Sequence, residues 1–165
     1  MAIVIRKFED RDARRAAEIL FDSFKSVFKE LWCDEWKGDG EHWKKDAHSE
    51  TPYGFVVSYV AEDNGTVVGF LNVSASIRYG LGVLESIGVD PNCFSRGVGR
   101  ALFNEAEKMW KEHRIRKVYT STSHINTGAL AFYKAMGFEE EGLLKSHFFE
   151  GIDEIQLAKF YKYGN

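Results

Sequence analysis

VDPNCFSRGVGRAL, residues 89–102, joins an apolar β-branched run to a segment of helical periodicity, and its corner sets Gly97 and Gly99 between Arg96 and Arg100. Glycines at such a corner supply backbone angles closed to other residues. They also bare the amides at a helix start, where unpaired N–H groups and the helix dipole stabilise an anion by about 0.3–2 kcal/mol. Arg96 and Arg100 add charge-assisted contacts to phosphate oxygens. Taken alone, the corner suits a structural turn as well as a phosphate cradle. It is not a P-loop, since no Gly-Lys-Ser/Thr follows, and it lacks the three-glycine spacing and the acidic ribose partner of a dinucleotide fingerprint.

Outward from the corner, GVLESIGV (82–89) reads as a strand, and residues 97–113 read as a helix with an apolar stripe of Val98, Leu102, Ala106 and Met109. Upstream, GFVVSYVAED (54–63) and TVVGFLNVSAS (66–76) are strands joined by Asn64-Gly65, a tight-hairpin signal. IVIRKF (3–8) opens the chain as a strand, and Asp10 caps a helix carrying Ala13, Ala17, Leu20 and Phe24 at helical spacing. Downstream come a strand in RKVYTSTS (116–123), a helix in NTGALAFYKAM (126–136) ended by Gly137, and strands near 138–144 and 152–160. Residues 28–53 read as helical in pieces. The expectation is a mixed α+β fold in a single domain over residues 1–165.

At 165 residues, 44% hydrophobic, the chain can bury a substantial core. A net charge of -3 supplies no basic field for nucleic acid, and no run is apolar and long enough for a signal peptide core or a bilayer span. No nucleic-acid partner, no membrane and a cytoplasmic location are expected; a homodimer is left open. Cys33 and Cys93 form no CxxC pair, and His42, His48, His113, His124 and His147 match no ligand spacing, so no disulfide and no metal are expected.

Two separate stretches resemble the GCN5-related N-acetyltransferase (GNAT) superfamily. VLESIGVDPNCFSRGVGRALFNEAE is similar to the family's central strand, Arg/Gln-x-x-Gly-x-Gly/Ala pyrophosphate loop and following helix; NTGALAFYKAMGFEEEG is similar to its Asn-x-x-Ala stretch with a downstream Tyr and closing Gly-Phe. The chain departs from the pattern at Phe94, where the family usually has Arg or Gln, and at Ser95, in place of a frequent Gly. The resemblance implies a mostly antiparallel central sheet with flanking helices, its central strands splayed around acetyl-CoA. It implies that the backbone of Ile87, Gly88 and Val89 meets the pantetheine arm. Ser95, Arg96, Gly97, Val98, Gly99 and Arg100 then meet the pyrophosphate, and Asn126 and Tyr133 the cofactor as well. It implies transfer of an acetyl group from acetyl-CoA to the amine of a small molecule or peptide, with Glu85 as general base and Tyr133 as the acid that protonates the leaving thiolate. Backbone amides near Val89 are placed to stabilise an oxyanion.

An alkyl amine of pKa near 10 is about one part in a thousand neutral at pH 7, a cost of roughly 4 kcal/mol, so the reaction needs a proton acceptor. Cys93 raises an acyl-cysteine route, but no histidine flanks it to activate the thiol. Asp34, Glu35, Asp39, Glu41 and Asp46 interleave with Trp32, Trp36 and Trp43. That pattern reads either as a wall for a cationic acceptor or as an amphipathic helix with a solvated acidic face. A non-catalytic acyl-CoA-binding or regulatory domain is the rival from another class.

Overall fold

The computed structural model describes residues 3–164, the side chain of Asp46 excepted. In chain order the elements are β1 (Ile3–Lys7), α1 (Ala13–Phe28), α2 (Glu41–Asp46), β2 (His48–Thr51), β3 (Gly54–Asp63), β4 (Thr66–Ser76), β5 (Leu81–Val89), α3 (Val98–Glu112), β6 (Lys117–Ser123), α4 (Thr127–Ala135), β7 (Glu139–Phe149) and β8 (Ile152–Phe160). The strands join one sheet in the order β1-β3-β4-β5-β6-β8-β7, with β2 also on β3, and every pairing is antiparallel except β5–β6. The mixed, mostly antiparallel α+β architecture expected from the sequence is the one found.

Local chemistry explains several boundaries. Asn64 and Gly65 both take positive φ, 50° and 81°, which turns β3 back onto β4 with the twist a two-residue hairpin requires. Asn126 caps α4, its side chain accepting from the Ala129 amide at 3.1 Å, and Gly137 ends it at φ 91°.

Other boundaries depart from the sequence reading. Residues Asp10–Asp12 form a short 3-10 turn and α1 starts at Ala13, because Asp12 accepts from the Glu9 amide at 2.8 Å and from Arg6 at 2.7 Å. Met109 of the α3 stripe packs partly buried against the core, and Phe103 and Trp110, outside the expected stripe, are fully buried beside it. Residues 28–53 hold short 3-10 turns at Lys29–Leu31 and Asp34–Trp36, then α2 and a strand, β2, that local pattern does not announce. β7 runs on to Phe149 because its partner β8 supplies a register that far.

The core lies on both faces of the sheet. α3 covers one with Val98, Leu102, Phe103, Ala106 and Trp110; α1 covers the other, setting Ala13, Ala16, Ile19 and Leu20 against Val60, Val67 and Phe70.

β5 and β6 pair only over Leu81–Val83 with Lys117–Tyr119. Beyond that point β5 stays with β4 and β6 stays with β8, so the two part. The cause lies in the register of β4 and β5: Ser86 opposes Asn72 and Leu84 opposes Val73, leaving Glu85 without a partner. Such a bulge adds local twist and bends its strand, and here it turns β5 away from β6.

Candidate active site

A cavity of about 750 Å³ fills the parting, walled by the ends of β5 and β6, by α1 and α4, and by the corner leading into α3. Asp90 N–H donates to Val68 of β4 at 2.9 Å. Successive residues of a strand present their backbone groups to opposite sides, so those of Ile87 and Val89 turn from β4 toward the cavity. Ser23 Oγ donates to the Val89 carbonyl at 2.8 Å, and the Val89 amide and both groups of Ile87 are left to the opening. Gly88 sits beneath α1, where a Cβ would lie 2.9 Å from Leu20.

At the corner, Asp90 accepts from the Asn92 amide at 2.9 Å and is paired with Arg15. Burial acts to raise the Asp90 carboxyl, but these partners outweigh it and hold it below the usual carboxylate range. Gly97 caps α3 at φ 81°, and a Cβ built on it would meet nothing within 4 Å, so the space over the first helical amides is open. The first intrahelical bond is Ala101 N–H to Gly97 O at 3.0 Å, leaving the amides of Val98, Gly99 and Arg100 for a ligand. Gly99 has a different use, since its Cβ would come within 3.2 Å of Phe132, and its absence lets α3 approach α4. The two arginines also separate. Arg100 lines the cavity, whereas Arg96 turns to Asp63 at 3.8 Å and to Cys93 Sγ at 3.6 Å and is not part of the wall. Ser95 takes φ 61° and Phe94 is exposed, both in the cavity wall.

Both carboxylate and phenol expected from the sequence reach the cavity. Glu85 is exposed, lines it, and accepts from Ser74 Oγ at 2.6 Å. Tyr133 projects from α4 with its ring between Phe132 and Phe138, each at 5.4 Å between centroids. Burial pushes its phenol up to about 12, the neighbouring Thr120 hydroxyl drawing it back in part and the Glu154 carboxylate adding to the rise. Asn126, whose side-chain oxygen accepts from the Ala129 amide as the cap of α4, lines the cavity. Cys93 is buried, and no histidine is among the cavity residues. Among the described residues no three His, Cys, Asp or Glu side chains converge as metal ligands, and no helix is long and apolar enough to cross a membrane.

The sequence reading missed the wall that α1 and β6 contribute: Ser23, Phe24, Val27, Thr120, Ser121 and Thr122. Phe24, expected in the core stripe, lines the cavity and leads to an aromatic cluster in which Trp32 lies 4.9 Å away, Trp36 meets Trp32 at 5.1 Å, and Phe149 of β7 meets Phe28 at 5.4 Å. Trp43 is not among the cavity residues; it packs on Phe70 at 4.9 Å, against the core that α1 covers. Of the acids in that stretch, Asp34 pairs with Lys25, Glu41 pairs with Lys44, and Asp39 caps the Glu41 amide, so they face solvent rather than the cavity. The run of hydroxyl residues in β6, with Thr120 and Thr122 buried, is a local signal from which that wall could have been read.

A sequence profile described as the acetyltransferase (GNAT) family matches residues 17–138. An uncharacterised N-acetyltransferase of Methanocaldococcus jannaschii is 31% identical over 130 residues, 72% of this chain, which spans only 58% of that protein's length. A second from the same organism is 28% identical over 159 residues, covering 95% of this chain and 91% of its own. The PaiA N-acetyltransferase of Thermoplasma acidophilum, solved in complex with coenzyme A, shares the fold with a TM-score of 0.75 at 20% identity, over 98% of this chain and 100% of that one. The parted sheet and its flanking helices are thus an N-acetyltransferase fold. The chain belongs to the acetyltransferase (GNAT) family, as the resemblance of its two motifs implied.

Proposed function

We propose that this protein transfers an acetyl group from acetyl-CoA to a primary amine by direct attack within a ternary complex. The observation that carries the reading is the bulge at Glu85, which both opens the sheet beside Tyr133 and turns a carboxylate to the opening. The corner fits a pyrophosphate: open space over Gly97, free amides of Val98, Gly99 and Arg100, and the Arg100 cation. Acetyl-CoA supplies the acyl group as a thioester.

The amine nitrogen forms its bond to the thioester carbonyl carbon as the carbon–sulfur bond breaks, and its proton passes to Glu85, directly or through one water. Tyr133 gives its phenolic hydrogen bond, and then its proton, to the departing sulfur. A phenol held up to about 12 is protonated at neutral pH and ready to donate. The inward-facing amide of Val89 stabilises charge on the carbonyl oxygen. Cys93 takes no part in this reading, being buried with no histidine in the cavity wall to activate its thiol.

Thiol release from acetyl-CoA on mixing with a panel of amines and peptides tests this reading. Release that depends on the amine supports it; CoA binding without release for any acceptor would assign the chain to the non-catalytic binders.

A further inference from the structure

Glu85 is the residue that the bulge leaves without a cross-strand partner, and its side chain stands exposed in the cavity wall. A free glutamate side chain loses rotamer freedom when it is held in one conformation, and a general base works only when its oxygen lies within hydrogen-bond reach of the proton it takes. Among the described residues one side chain supplies that hold: Ser74 Oγ donates to Glu85 Oε1 at 2.6 Å. No Lys, Arg or His forms an ion pair with this carboxylate among those residues.

The place of Ser74 in the sheet suits it to the task. It lies within β4, opposite Val56 of β3 on one side and Val83 of β5 on the other, so paired strands fix its backbone from both sides. Glu85 stands two residues beyond Val83, on the diagonal from Ser74, a separation of about 7–8 Å in a regular ladder that a long side chain can span. A length of 2.6 Å is that of an O–H···O bond to an ionised carboxylate. The hydroxyl has one proton to give, and it goes to Oε1, which leaves Oε2 with no hydrogen bond among the described residues. Ser74 is not among the residues lining the cavity, so it reaches the reaction only through Glu85.

The geometry points to Ser74 as a positioning residue for the base: it holds Glu85 Oε1 so that Oε2 is aimed at the proton of the attacking amine. The assignment rests on the transfer reading above. As the nitrogen–carbon bond forms, the proton moves from nitrogen to Oε2, directly or through one water, and Glu85 becomes a neutral acid that later releases that proton to solvent. The Ser74 hydroxyl keeps its own proton throughout and stays on Oε1.

The test is a double-mutant cycle on amine-dependent thiol release, run with the amine or peptide of the panel that gives the highest kcat/KM. Ser74→Ala should lower kcat about tenfold with KM changed by less than about twofold, and Ser74→Thr, which keeps the hydroxyl, should recover most of that loss. In a Glu85→Gln background the same Ser74→Ala change should cost less than about twofold, because a residue that acts through Glu85 has no base left to aim. CoA affinity by calorimetry reports that each variant is folded. In a crystal structure of Ser74→Ala the Glu85 side chain should spread over two or more rotamers. Full kcat in Ser74→Ala, or the same tenfold loss with and without Glu85, would overturn the assignment and leave the transfer reading standing. A rise in KM alone would overturn it too, by placing Ser74 in acceptor binding, as would a Glu85 side chain that keeps one rotamer without the hydroxyl. Absence of release with every amine and peptide would overturn the transfer reading and the assignment with it.

Discussion

Thr120 Oγ1 donates to the Leu84 carbonyl at 2.9 Å, a bond between two buried residues at the last point where β5 and β6 meet before they part. It fixes where the cavity begins, and it holds the Thr120 hydroxyl beside the Tyr133 phenol.

Thr120→Val keeps the shape and removes the donor, leaving a buried carbonyl without a partner. The cost should be about 1–3 kcal/mol, seen as a drop in Tm of roughly 2–10 °C for a domain of this size. CoA affinity should fall with it, because the angle of the parting is no longer pinned. An unchanged Tm would show that water replaces the bond.

Gly97→Val and Gly99→Ala should fail differently. At Gly97 the side chain meets no neighbour, so the fold survives at the cost of about 1–2 kcal/mol for a left-handed residue, while the branched side chain covers the helix amides. Calorimetry should give CoA affinity about tenfold weaker or worse. At Gly99 the new methyl presses on Phe132, so the loss should appear first in Tm. Full CoA affinity in a folded Gly97→Val chain would rule out the cradle.

Glu85→Gln should slow transfer at pH 7 and leave CoA binding intact, with the defect shrinking as pH rises, because the amine then arrives already neutral. Rates measured from pH 7 to pH 10 check this. Equal activity at pH 7 would move the base elsewhere.

Tyr133→Phe should keep the packing against Phe138 and slow transfer by about 100-fold to 10,000-fold where proton donation limits the rate. Its phenol carries a second, structural signature. An unfolded tyrosine titrates near 10 and this one is held up to about 12 by burial. The sign follows: the folded state favours the neutral phenol, so its contribution is fully present below pH 10 and is lost as pH rises toward 12. Denaturant melts from pH 9 to pH 12 should therefore show a shallower alkaline loss in Tyr133→Phe than in the parent chain.

Much of the scaffold could be read from local chemistry. Asn64-Gly65 demands its hairpin, Asn126 its cap, and Gly97 its left-handed corner, because each acts on neighbours a few residues away. The near-continuous apolar runs of β3 and β4 follow from burial on both faces of the sheet, and the alternation of β6 from burial on one. Arg100 was named from the glycine corner and Glu85 and Tyr133 from the family resemblance of their motifs, and all three line the cavity.

What the sequence by itself determined, then, is a set of strands, helices and turns, and a glycine corner shaped for an anion. Only the tertiary structure decided the parting of β5 from β6, since it depends on a register slip against β4 that no local pattern records. The same holds for Arg96, drawn to Asp63 across the β3 hairpin, for Trp43, pulled onto Phe70 and away from the aromatic wall, and for Glu154, joined to Ser121 over 33 positions of chain. Local propensity acts through neighbouring bonds, while these contacts form only after distant strands have taken their register and a buried group must find whatever partner the sheet brings to it.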